Sequence, residues 1–228
     1  MGDTVQASTV FLCRHGHRIE WARPDWCGDG DNKYDPYLSD QGIAQARALG
    51  RYLRRESIDH IVVSPFLRAI ETAHYIAEQL ERRFVIEDGA GEWLNVEWFP
   101  EGAPQLPAPG ARMQRFPRID TDYCSWQTPS YPETQEQMQA RMGAVIQHLV
   151  REHAGSLLIV GHGHTVTEMA AALSGLPSQS FGFEPCCLTR LDRRDGTWHV
   201  TMNGETAHYA RFQRLAPDQQ HTSIERRV

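Results

Sequence analysis

Short apolar runs at residues 9–13, 61–63, 84–86 and 157–160 are separated by stretches with helical spacing, and this alternation limits the chain to few architectures. Each run is too short to be a helix and is rich in β-branched or aromatic residues, so each reads as a buried strand. Between the first two, Ser39-Asp40-Gln41-Gly42 opens a helix to about residue 55, with Ile43, Ala46, Leu49 and Leu53 on its inner face. After the second, Ser64-Pro65 reads as a helix start, and Leu67, Ile70, Ala73, Ile76, Ala77 and Leu80 carry that helix to about residue 82. Further helices are expected at about 133–153 and 165–174. Two late strands, 187–191 and 198–202, flank the turn Asp195-Gly196. Such β-α-β-α order implies a layered α/β fold with a mainly parallel sheet.

One stretch breaks the pattern. Residues 92–132 hold seven of the chain's thirteen prolines. Regular elements do not run through that density, so the segment reads as an irregular insertion in a single domain spanning 1–228, placed as a lid. Its aromatics, Trp93, Trp98, Phe99, Phe116, Tyr123, Trp126 and Tyr131, argue for an ordered segment rather than a disordered one. The tail at 217–228 is polar and reads as frayed.

In open α/β sheets ligands bind beyond the carboxyl ends of the strands. The chemically capable residues follow strands: Arg14, His15 and Arg18 after the first, Ser64 to Arg68 after the second, Glu92 after the third, His162 after the fourth. Topology alone would bring these distant segments to one edge. A phosphate monoester carries about 1.5 to 2 negative charges at neutral pH, and guanidinium forks bind its oxygens without losing charge. Histidine can serve as a covalent nucleophile, and a carboxyl group can protonate the leaving oxygen.

The residues also carry a family resemblance. Arg14-His15-Gly16 resembles the signature of the histidine phosphatase superfamily, the phosphoglycerate mutase-like fold. Ser64-Pro65-x-x-Arg68-Ala69-x-x-Thr72-Ala73 is similar to its second motif and Gly161-His162-Gly163 to its third. The resemblance spans about residues 8–205. It implies a three-layer α/β/α fold with a mainly parallel central sheet. It also implies a phosphomonoester hydrolase in which His15 is phosphorylated and then dephosphorylated by water. Arg14, Arg68 and His162 would hold the phosphoryl group, helped by Arg18, and Glu92 would be the general acid and then base. No metal or other cofactor is implied. The Arg-His-Gly-x-Arg run, the Glu-Trp pair and the proline-rich insertion look most like the Sts/UBASH3 and ecdysteroid-phosphate phosphatase branch. The sequence departs from the family pattern at His17 and His164, which read as pocket-rim residues. Five of six tryptophans lie in 21–26 and 93–126, flanking the expected pocket mouth. Trp21, Trp93, His17 and His164 are therefore the expected substrate-pocket residues, suited to a small-molecule or peptide phosphomonoester with a bulky apolar leaving group.

Other readings stay open at this point. His15-x-His17 and His162-x-His164 could ligate a metal, although Arg14 and Arg18 bracket the first pair and would repel a cation. A phosphoglycerate mutase-type transferase would use the same phosphohistidine. A non-catalytic phosphate-binding module would be expected to lack a motif residue, and none is missing. Glu87, Asp88 and Glu97 compete with Glu92 for the acid role, and Thr72 reads as packing beneath the motif. A net charge of −6 argues against nucleic acid and anionic membrane as partners. No apolar run approaches the roughly 18–20 residues of a membrane span. Residues 1–8 lack a signal-peptide core, so a cytoplasmic location is expected. The five cysteines form no C-x-x-C pair, which favours neither a disulfide framework nor a zinc site, and Cys13 reads as a buried thiol. Family precedent leaves room for a homodimer.

Overall fold

Successive residues of a strand point to opposite faces of a sheet, and in this chain both faces of the apolar runs are buried. The computed structural model describes residues 6–28 and 33–210. The expected frayed tail lies outside the described residues. The elements in order are β1 (Ala7–Arg14), α1 (Ile19–Ala22), α2 (Asp40–Leu53), β2 (His60–Val63), α3 (Leu67–Leu80), β3 (Val85–Ile86), α4 (Pro109–Arg112), α5 (Gln135–Glu152), β4 (Gly155–Gly161), α6 (Gly163–Ser174), β5 (Leu188–Arg194) and β6 (Thr197–Glu205).

The strands form one six-stranded sheet in the order β3-β2-β4-β1-β5-β6. The first four in that order are mutually parallel. The last two join as antiparallel neighbours, closed by Asp195-Gly196, both at positive φ as a two-residue hairpin turn requires. Phe11 and Cys13 of β1, Ile61 and Val63 of β2, and Leu158 and Val160 of β4 pack under α2 and α3. Val10, Leu12, Val62, Leu157 and Ile159 face the other way, against α5 and α6. The result is three layers, α/β/α, as the sequence implied.

The starts of α2 and α5 follow local chemistry, and that of α3 does not. Ser39 caps α2, its Oγ accepting from Gly42 N at 3.2 Å. Thr134 and Gln137 form a reciprocal capping box at the start of α5. The helix expected to begin at Ser64-Pro65 instead begins at Leu67. Its first amide is met by Asp35 Oδ1 at 2.6 Å, supplied from a distant loop, and Ser64 is used elsewhere.

The 92–132 segment is irregular apart from the single turn α4, and it is well anchored. Phe116 and Ile119 enter the α3-side core, while Leu94 and Phe99 pack on Phe66. Arg112 forms a buried ion pair with Asp35 at 3.0 Å, and Arg115 pairs with Glu71 of α3. Glu87, fully buried just after β3, accepts from Tyr123 Oη at 2.6 Å, Ser125 Oγ at 2.9 Å, Trp126 N at 2.8 Å and Gln127 N at 3.1 Å.

Candidate active site

The chain leaves β1 at Arg14 and runs through His15, Gly16 and His17 at the carboxyl edge of the sheet. Its backbone there is held on every side. His15 N donates to Gly161 O at 2.8 Å, and Cys186 N lies 3.1 Å from both Arg14 O and His15 O. Gly16 N donates to Thr72 Oγ1 at 3.0 Å and His17 N to Gln45 Oε1 at 2.9 Å. Helix α2 crosses so close that a Cβ on Gly42 would lie 2.2 Å from His17 O. Only glycine at position 42 leaves room for that loop.

His15 is 1% exposed. Its Nδ1 lies 2.8 Å from Gly16 O. A carbonyl can only accept, so Nδ1 carries the proton and Nε2 presents a lone pair. Burial, then the charges of Arg68 and Arg14, then His162 and Arg18, push the ring's pKa well below the ordinary 6.5. At neutral pH it is a neutral imidazole whose Nε2 carries no proton.

The His162 ring stands edge-on to His15, 5.4 Å between centroids. It is the residue preceding α6, and its side chain does not cap that helix. Instead Nε2 lies 2.7 Å from Ser64 Oγ, and Nδ1 lies 3.1 Å from Glu92 Oε2. With Nδ1 facing a carboxylate, Nε2 accepts from the serine hydroxyl. Burial draws the pKa of His162 down to about 4, the Glu92 charge opposing and Arg68 assisting. Glu92 also accepts from Arg68 Nη2 at 3.2 Å. Burial alone would raise the Glu92 carboxyl. His162 beside it, and then Arg68, reverse that and hold it well below the carboxylate range.

Among the described residues, two buried donors in this cluster lack acceptors. Arg68 Nε and Nη1 have no hydrogen-bond partner, whereas Nδ1 of His162 already faces Glu92 Oε2. Native structures rarely leave such groups unmet, and two on one guanidinium favour an anion beside it. The start of α6, with its first amides unused by the helix, adds to that preference.

Arg14 and Arg18 border the same space. Arg14 Nη1 donates to Phe183 O at 2.8 Å. Its guanidinium lies 5.4 Å from the Trp21 ring and 5.7 Å from Phe183. Arg18 lies 4.4 Å from Trp21 and pairs with Glu20 at 2.7 Å. His17 is buried, its Nδ1 2.9 Å from Ser39 Oγ and its ring edge-on to Trp21 at 5.3 Å. On the far side, His164 meets Trp93 at 5.4 Å and Trp98 at 5.8 Å. The two H-x-H pairs therefore do not converge: His17 turns toward Ser39, and His164 sits on the first turn of α6 among tryptophans. Among the described residues, no group of three or more His, Cys, Asp and Glu could hold a metal ion.

Thus Arg14, His15, Arg18, Arg68, Glu92 and His162 converge, and Trp21, Trp93 and His164 surround them. The sequence reading missed Ser64 as partner of His162, and Phe183 as part of the rim; Phe183 lies in a loop with no motif. Glu87, a competitor for the acid role, is committed to the insertion backbone.

The sequence profile of the histidine phosphatase superfamily (branch 1) matches residues 10–206. The ecdysteroid-phosphate phosphatase of Drosophila melanogaster is 25% identical over 236 residues, covering 84% of this chain and 31% of that protein. Human ubiquitin-associated and SH3 domain-containing protein A is 28% identical over 221 residues, covering 78% and 33%. The chain therefore spans about a third of the length of these two relatives. The crystal structure of the ecdysone phosphate phosphatase from Bombix mori, in complex with tungstate, superposes with a TM-score of 0.74 at 21% identity, covering 95% of this chain and 96% of that one; this likeness is one of fold.

Proposed function

The chain belongs to the histidine phosphatase superfamily, branch 1, and from that premise we propose that it is a phosphomonoester hydrolase working through a phosphohistidine on His15. The observation that carries the reading is the pair of unmet donors on Arg68, beside a neutral imidazole whose Nε2 carries no proton. Arg14, Arg18, Arg68 and His162 hold the phosphoryl oxygens. His15 Nε2 forms the bond to phosphorus as the ester P–O bond breaks, and a proton from Glu92 goes to the departing oxygen. Water then attacks the phosphohistidine, giving its proton to Glu92, and phosphate leaves with His15 restored.

Glu92 is ionised in the empty site, because His162 and Arg68 outweigh its burial. A bound phosphate dianion occupies those same donors and adds negative charge beside the carboxylate. Both changes raise its pKa, so substrate binding itself prepares Glu92 as an acid. The walls of Trp21, Trp93, Trp98, His164 and Phe183 suit a bulky apolar alcohol as leaving group. The name of the fly relative, an ecdysteroid-phosphate phosphatase, points the same way.

The test is His15→Ala with p-nitrophenyl phosphate, where phosphate release is expected to fall to background. Rapid quench of the unsubstituted protein is expected to trap an acid-labile, alkali-stable phosphoenzyme. Undiminished turnover in His15→Ala would sink the mechanism. Interconversion of phosphoglycerates without phosphate release would assign a mutase instead. For the leaving group, kcat/KM for a steroid phosphate is expected to exceed that for phosphoserine or a sugar phosphate.

A further inference from the structure

Glu92 lies in an irregular stretch just past the short 3-10 turn Asp88–Ala90, between β3 and α4, where no strand or helix ladder fixes the direction of its own backbone. Side chains from two helices fix it instead. Arg141 of α5 donates from Nη1 to Gly89 O at 2.7 Å and to Gly91 O at 3.2 Å, and from Nη2 to Glu92 O at 3.2 Å. Thr165 of α6 donates to Ala90 O at 3.2 Å. Four consecutive carbonyls, 89 to 92, are thus turned toward helix side chains.

Arg141 is itself held. Its Nε and Nη2 form a two-pronged pair with the Glu133 carboxylate, both contacts 2.7 Å, and each side chain is only 2% exposed. Glu133 also grips the residues that follow Glu92. Its carbonyl accepts from Trp93 Nε1 at 3.0 Å, and its amide donates to Leu94 O at 2.9 Å. A buried ion pair is weak evidence of stabilisation, since desolvation offsets most of its attraction. What this pair supplies is direction: a planar fork with five donors in fixed geometry, aimed at the backbone that carries the acid.

We infer that Arg141, braced by Glu133, is a positioning residue that sets the Glu92 carboxyl against the leaving oxygen. Neither residue is assigned a role by the family motifs found in the sequence. The inference rests on the proton-transfer role proposed for Glu92 above. It separates from a merely structural role because a misplaced acid hurts poor leaving groups most, whereas a weakened fold hurts all substrates alike.

The experiment compares p-nitrophenyl phosphate, whose leaving group needs little protonation, with benzyl phosphate, whose leaving group needs it. In Glu92→Gln, kcat should fall far more on benzyl phosphate than on p-nitrophenyl phosphate. Arg141→Lys keeps a cation but not the fork. It should show the same pattern, with kcat on benzyl phosphate down by about ten- to a hundredfold, within the range of general acid catalysis. Competitive inhibition by inorganic phosphate should be little changed. In Glu92→Gln, adding Arg141→Lys should cost nothing further, since the two act through one group. Equal losses on both substrates, or additive losses in the double variant, would overturn the inference. If Glu92→Gln itself shows no dependence on leaving group, the acid role fails, and the inference falls with it for a separately visible reason. Should Arg141→Lys not accumulate as folded protein, Glu133→Gln, which loosens the brace, is judged by the same two criteria.

Discussion

His15 and His162 share one buried pocket and differ in what their nitrogens face. His15 gives its Nδ1 proton to a backbone carbonyl and keeps Nε2 bare. His162 is gripped through Nε2 by Ser64. Ser64→Ala removes the hydroxyl that meets Nε2 and leaves a buried acceptor unpaired, a loss of about 1–3 kcal/mol. A lower urea midpoint and a lower kcat are expected together, and a variant unchanged in both would show that the Ser64 contact is dispensable. Gly42 sets a second residue-level constraint. Gly42→Ala would drive a methyl into the His17 carbonyl and push the His15–His17 loop off α2, with a cost of about 1–3 kcal/mol, as overpacking typically gives. Thermal unfolding and kcat report it. At this scale the sequence was most legible where a residue type names its chemistry: Arg14, His15, Arg68, Glu92 and His162 all converge. It was least legible for Ser64. That serine looked like a helix cap because local pattern cannot reveal a partner 98 positions away.

Elements expected from periodicity appear with boundaries shifted by one to three residues. The exceptions are instructive. Helices α1 and α4 have four residues each, too few for a hydrophobic period to register. The start of α3 moved to Leu67 because its first amide finds a distant aspartate rather than a neighbouring serine. The insertion read correctly as irregular and ordered, but its anchor did not read at all. Glu87 was weighed as a catalytic acid, and it instead accepts from Tyr123, Ser125 and the amides of Trp126 and Gln127. Glu87→Ala would strand these four donors and the amide of Gly89 as well. Each buried donor left unmet typically costs about 1–3 kcal/mol. Hydrogen exchange should quicken at the amides of Trp126 and Gln127 well before the strands respond. Equal protection in both proteins would show that the aromatic contacts alone hold the segment.

Across the whole molecule, the same burial that keeps His15 neutral makes the fold sensitive to acid. The folded-state pKa values of His15 and His162 lie below the ordinary 6.5, that of His162 at about 4. Unfolding frees both rings to take up protons once the pH drops below about 6.5. Each ring therefore lowers stability as the pH falls through that value, by up to about 1.4 kcal/mol per pH unit, until its folded-state pKa is reached. The urea midpoint should fall from pH 7 to pH 5, and the fall should shrink in His162→Gln. A flat profile would mean that the rings titrate alike in the folded and unfolded chain. The sheet order has a consequence of another kind. Strand β1 leads into His15 at its end and lies in the middle of the sheet, between β4 and β5. Ala7 pairs with Gly155 and Thr9 with Asp192, and Cys186 closes the loop around His15. Contacts so distant along the chain form slowly. During synthesis β1 must wait for β5 before it is paired on both sides, so the proposed hydrolytic activity should appear only after residues 186–194 have cleared the ribosome.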